Sequence, residues 1–190
     1  MTTTPPNWRT SLENNLLQHA HLPFSNFVQM ATVRPDGRPA NRTLTFRFFI
    51  SEDRLLFTAD ARTEKTQQIN CNPWAEACWY FTESRTQFRL SGKLNAVVDS
   101  MDQELVQTRQ RTWHERTDVS RQSFTWPAAG KPLSASESFS QPCPAQAPET
   151  FALLIFTPER VERLNLHSQP HERIIFTCEQ DGWLEQQINP

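Results

Sequence analysis

Glycine is scarce in this chain of 190 residues, which has only four: Gly37, Gly92, Gly130 and Gly182. Because no two of them lie close together, neither the G-x-G-x-x-G dinucleotide loop nor a Walker A loop can be written. The same scarcity excludes the G-x-S-x-G nucleophile elbow of many hydrolases. A phosphate site in this protein would therefore need side chains and a helix N-terminus.

The chain also lacks an excess of charge of either sign and any long apolar run. It has 19 Lys and Arg against 21 Asp and Glu, for a net charge of −2 at pH 7. This balance argues against a nucleic-acid-binding protein that relies on a general basic field. No apolar run reaches the length that spans a bilayer, so no membrane association is expected. Residues 1–9 show no secretory signal, and we expect a cytoplasmic protein.

Paired cysteines and complete metal-ligand sets are missing as well. The four cysteines form no C-x-x-C pair, and without an export signal they are expected to be reduced thiols. His167 and His171 have the spacing of two ligands on a helix, but Pro170 lies between them and no cysteine or carboxylate completes a set. We therefore expect no metal site.

The pattern that is present is one of short strands separated by turns. Residues 27–33 and 41–50 are predicted to form a hairpin around the turn 35–38. This pattern favours a mainly β protein, an antiparallel barrel or sandwich with flanking helices, in one domain over 1–190 with an N-terminal helix or arm at 1–22. The other predicted strands are 54–58, 74–81, 87–94, 151–156, 161–166, 173–178 and 183–188, and short helices are predicted at 8–19 and 60–70.

A third helix and a long loop are predicted in the second half of the chain. Ser100-Met101-Asp102-Gln103 matches a capping box, which predicts a helix to about residue 115 with Met101, Leu105 and Trp113 facing the core. Residues 117–150 are rich in proline and serine and predict a long loop. Its aromatic start, residues 124–127, is expected to be ordered.

Basic and hydroxyl side chains converge in one part of the sequence. Arg42-Thr43-Leu44-Thr45-Phe46-Arg47 lies on a predicted strand, Phe57-Thr58 on the next, and Arg62-Thr63-Glu64-Lys65 at a predicted helix start. Cations added to a helix N-terminus favour a phosphomonoester, although an ordinary solvated strand face and helix cap explain the same spacing. Strict alternation places Arg42 and Arg47 on opposite faces, so both reach one ligand only across a bulge or a strand end.

Several of these motifs together resemble those of the pyridoxamine 5'-phosphate oxidase-like flavoproteins. They are Leu56-Phe57-Thr58, the helix that carries Lys65, Asn72-Pro73 and the segment from Gln87 to Lys93, in the family's order and approximate spacing. The resemblance extends from about Phe27 to Pro190. It implies an FMN-binding split β-barrel that works as a homodimer with FMN at the subunit interface.

The resemblance also implies roles for individual residues. The strand from Arg42 to Arg47, including Thr43, Leu44 and Thr45, would lie along FMN, next to Phe57 and Thr58. Thr63 and Lys65 would hold the FMN phosphate, with Arg62 as a helper. Gln87 and Arg173 would contact the flavin ring, and Gln122 and Ser123 would reach it across the dimer interface.

One departure from the family concerns the substrate. Oxidases proper carry Arg-x-His beside the flavin, whereas this chain has Gln169-Pro170-His171. Loss of a charged hydrogen-bonding partner costs about 1.5–3 kcal/mol, which indicates a divergent branch rather than the oxidase proper. We expect an FMN-dependent oxidoreductase of unknown substrate, with His171, Gln169 and Trp126 as substrate-side candidates. The alternatives are a non-catalytic FMN carrier or sensor and, from the aromatic content alone, a module for single-stranded nucleic acid.

Overall fold

Antiparallel strands dominate the computed structural model, which describes residues 6–190. Residues 1–5 of the predicted N-terminal arm lie outside the described residues. Two single-turn 3₁₀ helices, Ser123–Thr125 and Ser136–Phe139, accompany the longer elements. The helices are α1 (Asn7–Gln18), α2 (Glu64–Cys71), α3 (Gln103–His114) and α4 (Asp118–Gln122), and the strands are β1 (Phe27–Val33), β2 (Pro39–Thr45), β3 (Phe48–Phe49), β4 (Leu55–Asp60), β5 (Trp74–Phe81), β6 (Thr86–Val97), β7 (Phe151–Asn165), β8 (Glu172–Glu179) and β9 (Gly182–Ile188).

The strands form a sheet of order β2-β1-β5-β6-β7-β4-β3, with β8 and β9 added at β7. One edge of β7 pairs with β6 along most of its length. Its other edge pairs with β4 over residues 151–156 and with β8 over residues 160–165. This division of one strand between two partners produces the split barrel, and the predicted fold class is confirmed.

The barrel closes where the chain leaves β2. The single strand predicted over 41–50 is wrong: β2 pairs with β1, whereas β3 pairs with β4. The change of partner falls at Phe46 and Arg47, whose amides donate to the carbonyls of Asn26 and Leu56, each at 2.9 Å. Because β2 ends at Thr45, the alternation of side chains along a strand no longer places Arg47 on the face opposite to Arg42.

A bulge explains why β7 was predicted as two strands. Its pairing with β6 shifts register between Ser91 and Gly92, so that Glu159 is an extra residue next to Pro158. Proline has no N–H to donate and is tolerated at such a bulge. Gly92 lies so close to β7 that a Cβ there would be 2.1 Å from the Thr157 carbonyl oxygen.

Two apolar clusters pack on opposite faces of β4 and β7. Inside the barrel, Phe57, Phe156 and their neighbours pack against α1 through Trp8 and Leu12. Outside it, Leu56 and Leu153 belong to a second cluster with residues from α3 and the loop that follows. Burial on both faces is the physical reason for the continuous apolar run at the start of β7.

The α3 region corrects several expectations. Asp102, not Ser100, caps α3 and accepts from the amides of Glu104 and Leu105. Met101 therefore precedes the helix and is 99% exposed, whereas Trp113 is buried as predicted.

The segment 117–150 is not one loop, because it contains α4 and both 3₁₀ helices. Its aromatic start is ordered, with Phe124 packed edge-on against Trp113 and Phe151. Within residues 6–190, no helix is both long enough and apolar enough to cross a bilayer.

Candidate functional site

The N-terminus of α2 carries the first group of functional side chains. Thr63 precedes the helix in an extended conformation and donates its hydroxyl to the Asp60 carbonyl at 2.7 Å. Lys65 Nζ donates to the Thr63 hydroxyl at 2.9 Å. Burial and the nearby positive charge of Arg42 lower the pKa of Lys65. The free N–H groups, the helix dipole and the ammonium therefore attract an anion to the same place.

Arg42 projects from β2 towards this helix. Its Nη1 donates to the Thr32 hydroxyl at 2.6 Å and to the Met30 carbonyl at 3.1 Å, and its Nη2 donates to Gln68 Oε1 at 3.0 Å. Burial, followed by the charge of Arg34, lowers the pKa of Arg42. We call Arg42 and Lys65 the phosphate-side cations, since every hydrogen-bond acceptor that they contact within residues 6–190 is neutral.

Arg62, in contrast, already has an acidic partner. Its Nη2 is 2.6 Å from Asp60 Oδ2 and its Nε is 3.0 Å from Asp60 Oδ1. The hydrogen bond that Arg62 donates to the Asp60 carboxylate raises the pKa of Arg62. Most of the positive charge of Arg62 is therefore matched within the chain.

A second pair of cations, Arg47 and Arg116, lines a cleft of about 320 Å³. Arg116 Nη1 donates to the Thr58 hydroxyl at 2.9 Å and Nη2 to the Ser120 hydroxyl at 2.8 Å. Burial, with a smaller contribution from Arg47, lowers the pKa of Arg116 to about 10, so its guanidinium is still charged at neutral pH. We call Arg47 and Arg116 the cleft-side cations.

The cleft contains functional groups that the sequence did not reveal. Arg116 Nε and the buried Thr112 hydroxyl have no hydrogen-bond partner in the part of the chain that the structure describes. Arg116 is also held over the Phe124 and Phe151 rings, at 5.0 and 5.6 Å. The sequence signal was weak, because Arg116 follows α3 by two residues and reaches Thr58 of β4 only through tertiary packing.

Strand β4 connects the two pairs of cations. Thr58 receives the hydrogen bond from Arg116, and Asp60, two positions along, accepts the Thr63 hydroxyl. Phe57 is fully buried in the barrel core, so its side chain is unavailable to a ligand and only its backbone can take part. Of the two predicted residues Phe57 and Thr58, only Thr58 directs its side chain towards the site.

Gln87, Leu164 and Arg173 lie directly opposite one another on β6, β7 and β8, on the outer face of the sheet. Arg173 donates to Glu162 Oε1 through Nε at 3.1 Å and Nη2 at 2.8 Å. Glu162 is only 5% exposed. The two residues predicted to contact the flavin ring thus share one face, and a buried carboxylate fixes one of them.

The remaining predicted residues are dispersed around this region. On β2, Leu44 is buried in the core, and Thr43 and Thr45 alternate with it. The hydrogen bonds of the others, within residues 6–190, do not join them to the phosphate-side cations. Gln122 donates to the Gln141 carbonyl, Ser123 to the Ser120 carbonyl, His171 pairs with the Ser168 carbonyl, Gln169 is exposed, and Trp126 packs edge-on against Phe139.

Two other observations concern where an anion could bind and whether a metal ion could be held. A larger pocket of about 720 Å³ at the β8–β9 end is lined by Glu52, Asp53, Glu179, Asp181 and Glu185, which would repel an anion. Among residues 6–190, no three His, Cys, Asp or Glu side chains form a cluster that could hold a metal ion.

A split barrel in which cations without an acidic hydrogen-bond partner among residues 6–190 lie beside a helix N-terminus is suited to a phosphorylated ligand. A family model described as pyridoxamine 5'-phosphate oxidase, FMN-binding domain, matches residues 5–98. The chain is 32% identical to pyridoxine/pyridoxamine 5'-phosphate oxidase 2 of Arabidopsis thaliana, over 96% of each chain. The chain belongs to the pyridoxamine 5'-phosphate oxidase family of FMN-binding proteins.

Two further comparisons place the chain within this family. It is 26% identical to the dihydrophenazinedicarboxylate synthase of Pseudomonas chlororaphis, over 98% of this chain and 86% of that protein. A crystal structure of a pyridoxamine 5'-phosphate oxidase-related, FMN-binding protein from Nostoc punctiforme PCC 73102 superposes with a TM-score of 0.92 at 36% identity, and the match covers 99% and 100% of the two chains. The predicted family and cofactor, FMN, are therefore confirmed.

The residues present fit FMN. Arg42 and Lys65 bring positive charge to the start of α2 that no acidic hydrogen-bond partner within residues 6–190 cancels, and Thr63 adds a hydroxyl. A phosphomonoester dianion is the group that such a set stabilises best.

Proposed function

We propose that the protein is an FMN-dependent oxidoreductase whose small substrate carries a phosphate or a carboxylate. The observation that carries this proposal is the presence of two separate cation pairs, one at each side of the end of β4. The phosphate-side cations suit the FMN phosphate. The cleft-side cations then remain for a second anionic group, which must belong to another molecule.

In this proposal, each residue has a defined task. Arg42, Thr63 and Lys65 hold the phosphate, and the backbone of Thr43, Leu44 and Thr45 runs beside the cofactor. Gln87 and Arg173 orient the ring, while Arg47 and Arg116 bind the substrate anion. Bound FMN supplies the redox chemistry. Arg62, which is paired with Asp60, supports the loop before α2 rather than the phosphate.

The names of the relatives support an anionic substrate. The Arabidopsis protein is named for a 5'-phosphate, and the Pseudomonas protein for a dicarboxylate. A guanidinium binds either group through charge-assisted hydrogen bonds, so the cleft alone does not distinguish phosphate from carboxylate.

We also propose a homodimer with FMN at its interface, to which Gln122 and Ser123 contribute from the partner subunit. Tyr80 and Trp74 are each nearly half exposed on the sheet face that carries Gln87. Exposed aromatic residues beside a polar network are typical of protein interfaces. Light scattering of the FMN-loaded protein should give the mass of two chains, and the mass of one chain would contradict this part of the proposal.

The test begins with an absorbance spectrum recorded after FMN has been added and the excess removed by desalting. A band at about 450 nm that stays with the protein supports the cofactor assignment. Pyridoxine 5'-phosphate is then added without oxygen, with pyridoxine as the matched control that lacks the anion. Bleaching by the phosphate ester alone supports an oxidoreductase with an anion-binding cleft.

The other outcomes distinguish the alternatives. If carboxylate-bearing reductants bleach the flavin but pyridoxine 5'-phosphate does not, the substrate is a carboxylate. If flavin is retained but no anionic reductant bleaches it, the protein is the FMN carrier or sensor. If FMN is not retained at all, the oxidoreductase proposal is wrong.

A further inference from the structure

The side chains that hold Arg42 are themselves buried and mutually hydrogen-bonded. Thr32 and Gln68 are only 3% and 4% exposed. The Thr32 hydroxyl donates to Gln68 Oε1 at 2.6 Å and accepts from Arg42 Nη1 at 2.6 Å, while Arg42 Nη2 donates to the same Gln68 oxygen at 3.0 Å. Since two donors converge on that atom, it is the amide oxygen and not the nitrogen.

This arrangement fixes Arg42 from three elements at once. Thr32 belongs to β1, Gln68 to α2, and Arg42 itself to β2. Gln68 lies one helical turn after Lys65, so both side chains occupy the same face of α2. The position of Arg42 relative to Lys65 is therefore set by a buried hydrogen-bond network, which loses little conformational entropy when an anion binds.

The groups that hold Arg42 differ chemically from those that hold three other arginines of the sheet and the α2 region. Arg62, Arg89 and Arg173 are held by Asp60, Glu76 and Glu162, whose carboxylates cancel their charge. Arg42 is held by an amide, a hydroxyl and a carbonyl, all neutral. A neutral anchor orients a guanidinium while leaving its full charge for a ligand.

We infer that Gln68 and Thr32 are positioning residues that hold Arg42 as an unneutralised cation and thereby set the preference of the site for FMN over riboflavin. This inference rests on the proposed phosphate site. It gives a buried amide, and not a carboxylate, the task of orienting Arg42 through a hydrogen bond.

The test is Gln68→Glu, which keeps the size and the oxygen acceptor but adds a negative charge beside Arg42. We expect the Kd for FMN to rise at least tenfold, while the Kd for riboflavin, which lacks the phosphate, changes less than twofold. The matched control is Gln67→Glu, the same charge change at the neighbouring exposed position of α2. It should change the FMN Kd less than threefold.

A second pair of variants tests the anchor without adding charge. Thr32→Val removes the hydroxyl and should weaken FMN binding about threefold to tenfold with little effect on riboflavin, and Thr32→Ser should restore FMN binding. This pair decides the question if Gln68→Glu does not fold, as judged by its thermal unfolding.

The results separate this inference from the proposed function. A wild-type protein that binds riboflavin as tightly as FMN would overturn the phosphate site itself. If the wild type prefers FMN and Gln68→Glu keeps that preference, only the inference fails. Parallel losses of FMN and riboflavin affinity would likewise overturn it, because they indicate a structural role.

Discussion

Arg62 and Asp60 form a two-point ion pair at the start of α2, with Arg62 Nη2 2.6 Å from Asp60 Oδ2 and Nε 3.0 Å from Oδ1. Three residues later, the hydrogen bond that Lys65 makes within residues 6–190 is to the neutral Thr63 hydroxyl. Two cations that look equivalent in the sequence therefore differ in the charge that each can offer to a ligand.

The first prediction follows from this difference. Lys65→Ala should weaken FMN binding about 10- to 100-fold, since a hydrogen bond to a charged group contributes about 1.5–3 kcal/mol. Arg62→Ala should weaken it less than about threefold, because Asp60 already neutralises the guanidinium. Titration of flavin fluorescence measures both. Equal losses in the two variants would show that Arg62 binds the phosphate directly.

Removal of both phosphate-side cations is the second prediction. The double variant Arg42→Ala and Lys65→Ala should lose FMN during desalting but keep its circular dichroism spectrum, because neither residue belongs to the two apolar clusters. Full retention of flavin by the folded double variant would refute the assignment of these residues to the phosphate.

The third prediction concerns pH. The second pKa of a phosphomonoester is about 6, so the preference for FMN over riboflavin should strengthen as pH rises through that value and the phosphate becomes a dianion. Burial and Arg42 lower the pKa of Lys65 below its ordinary 10.5. The preference for FMN should therefore decline again in alkaline solution. The Lys65 ammonium begins to lose its proton there at a lower pH than an ordinary lysine does. Parallel titrations of FMN and riboflavin between about pH 5 and pH 10 measure this ratio. A ratio independent of pH would exclude an ionic phosphate site.

The fourth prediction tests the cleft with inorganic phosphate as the probe. In FMN-loaded protein, Arg116→Met should weaken phosphate binding about tenfold or more and leave the FMN content unchanged. Methionine keeps an apolar stem over the Phe124 and Phe151 rings while removing the charge. Arg111→Met, at an exposed position earlier on α3, is the control. Unchanged phosphate binding by calorimetry would mean that the cleft does not bind anions.

The fifth prediction concerns the bulge between β6 and β7. Gly92→Ala places a methyl group 2.1 Å from the Thr157 carbonyl oxygen, a backbone atom that cannot move without displacing the strand. The free energy of unfolding should fall by about 3 kcal/mol, the upper end of the usual cost of overpacking. Urea denaturation measures it, with the exposed Asn95→Ala on the same strand as the control. A loss no greater than that of the control would show that β7 shifts at little cost.

The local elements of the site could be predicted from the sequence because their causes are local. The hairpin turn at 35–38, the alternation in β5 and the hydroxyl and basic residues that begin α2 depend on residues only a few positions apart. The ordered set of motifs indicated the family and FMN for the same reason, because the spacing within each short motif can be read directly from the sequence. The predictions were wrong where pairing changes along the chain. One strand was predicted over 41–50 where β2 and β3 have different partners, and two strands were predicted where β7 is continuous.

Tertiary structure decided which groups hold Arg42 and Arg116. Nothing near Arg42 in the sequence indicates that Thr32 and Gln68 hold it, or that Arg116 reaches Thr58 across more than fifty residues of chain. The break at Phe46 and Arg47 likewise depends on which strand lies at the other edge of the barrel. Residue types and local spacing determined which cations this protein has and paired Arg62 with Asp60. Long-range packing determined that Arg42 and Arg116 are held by neutral groups, because their partners come from other elements of the fold.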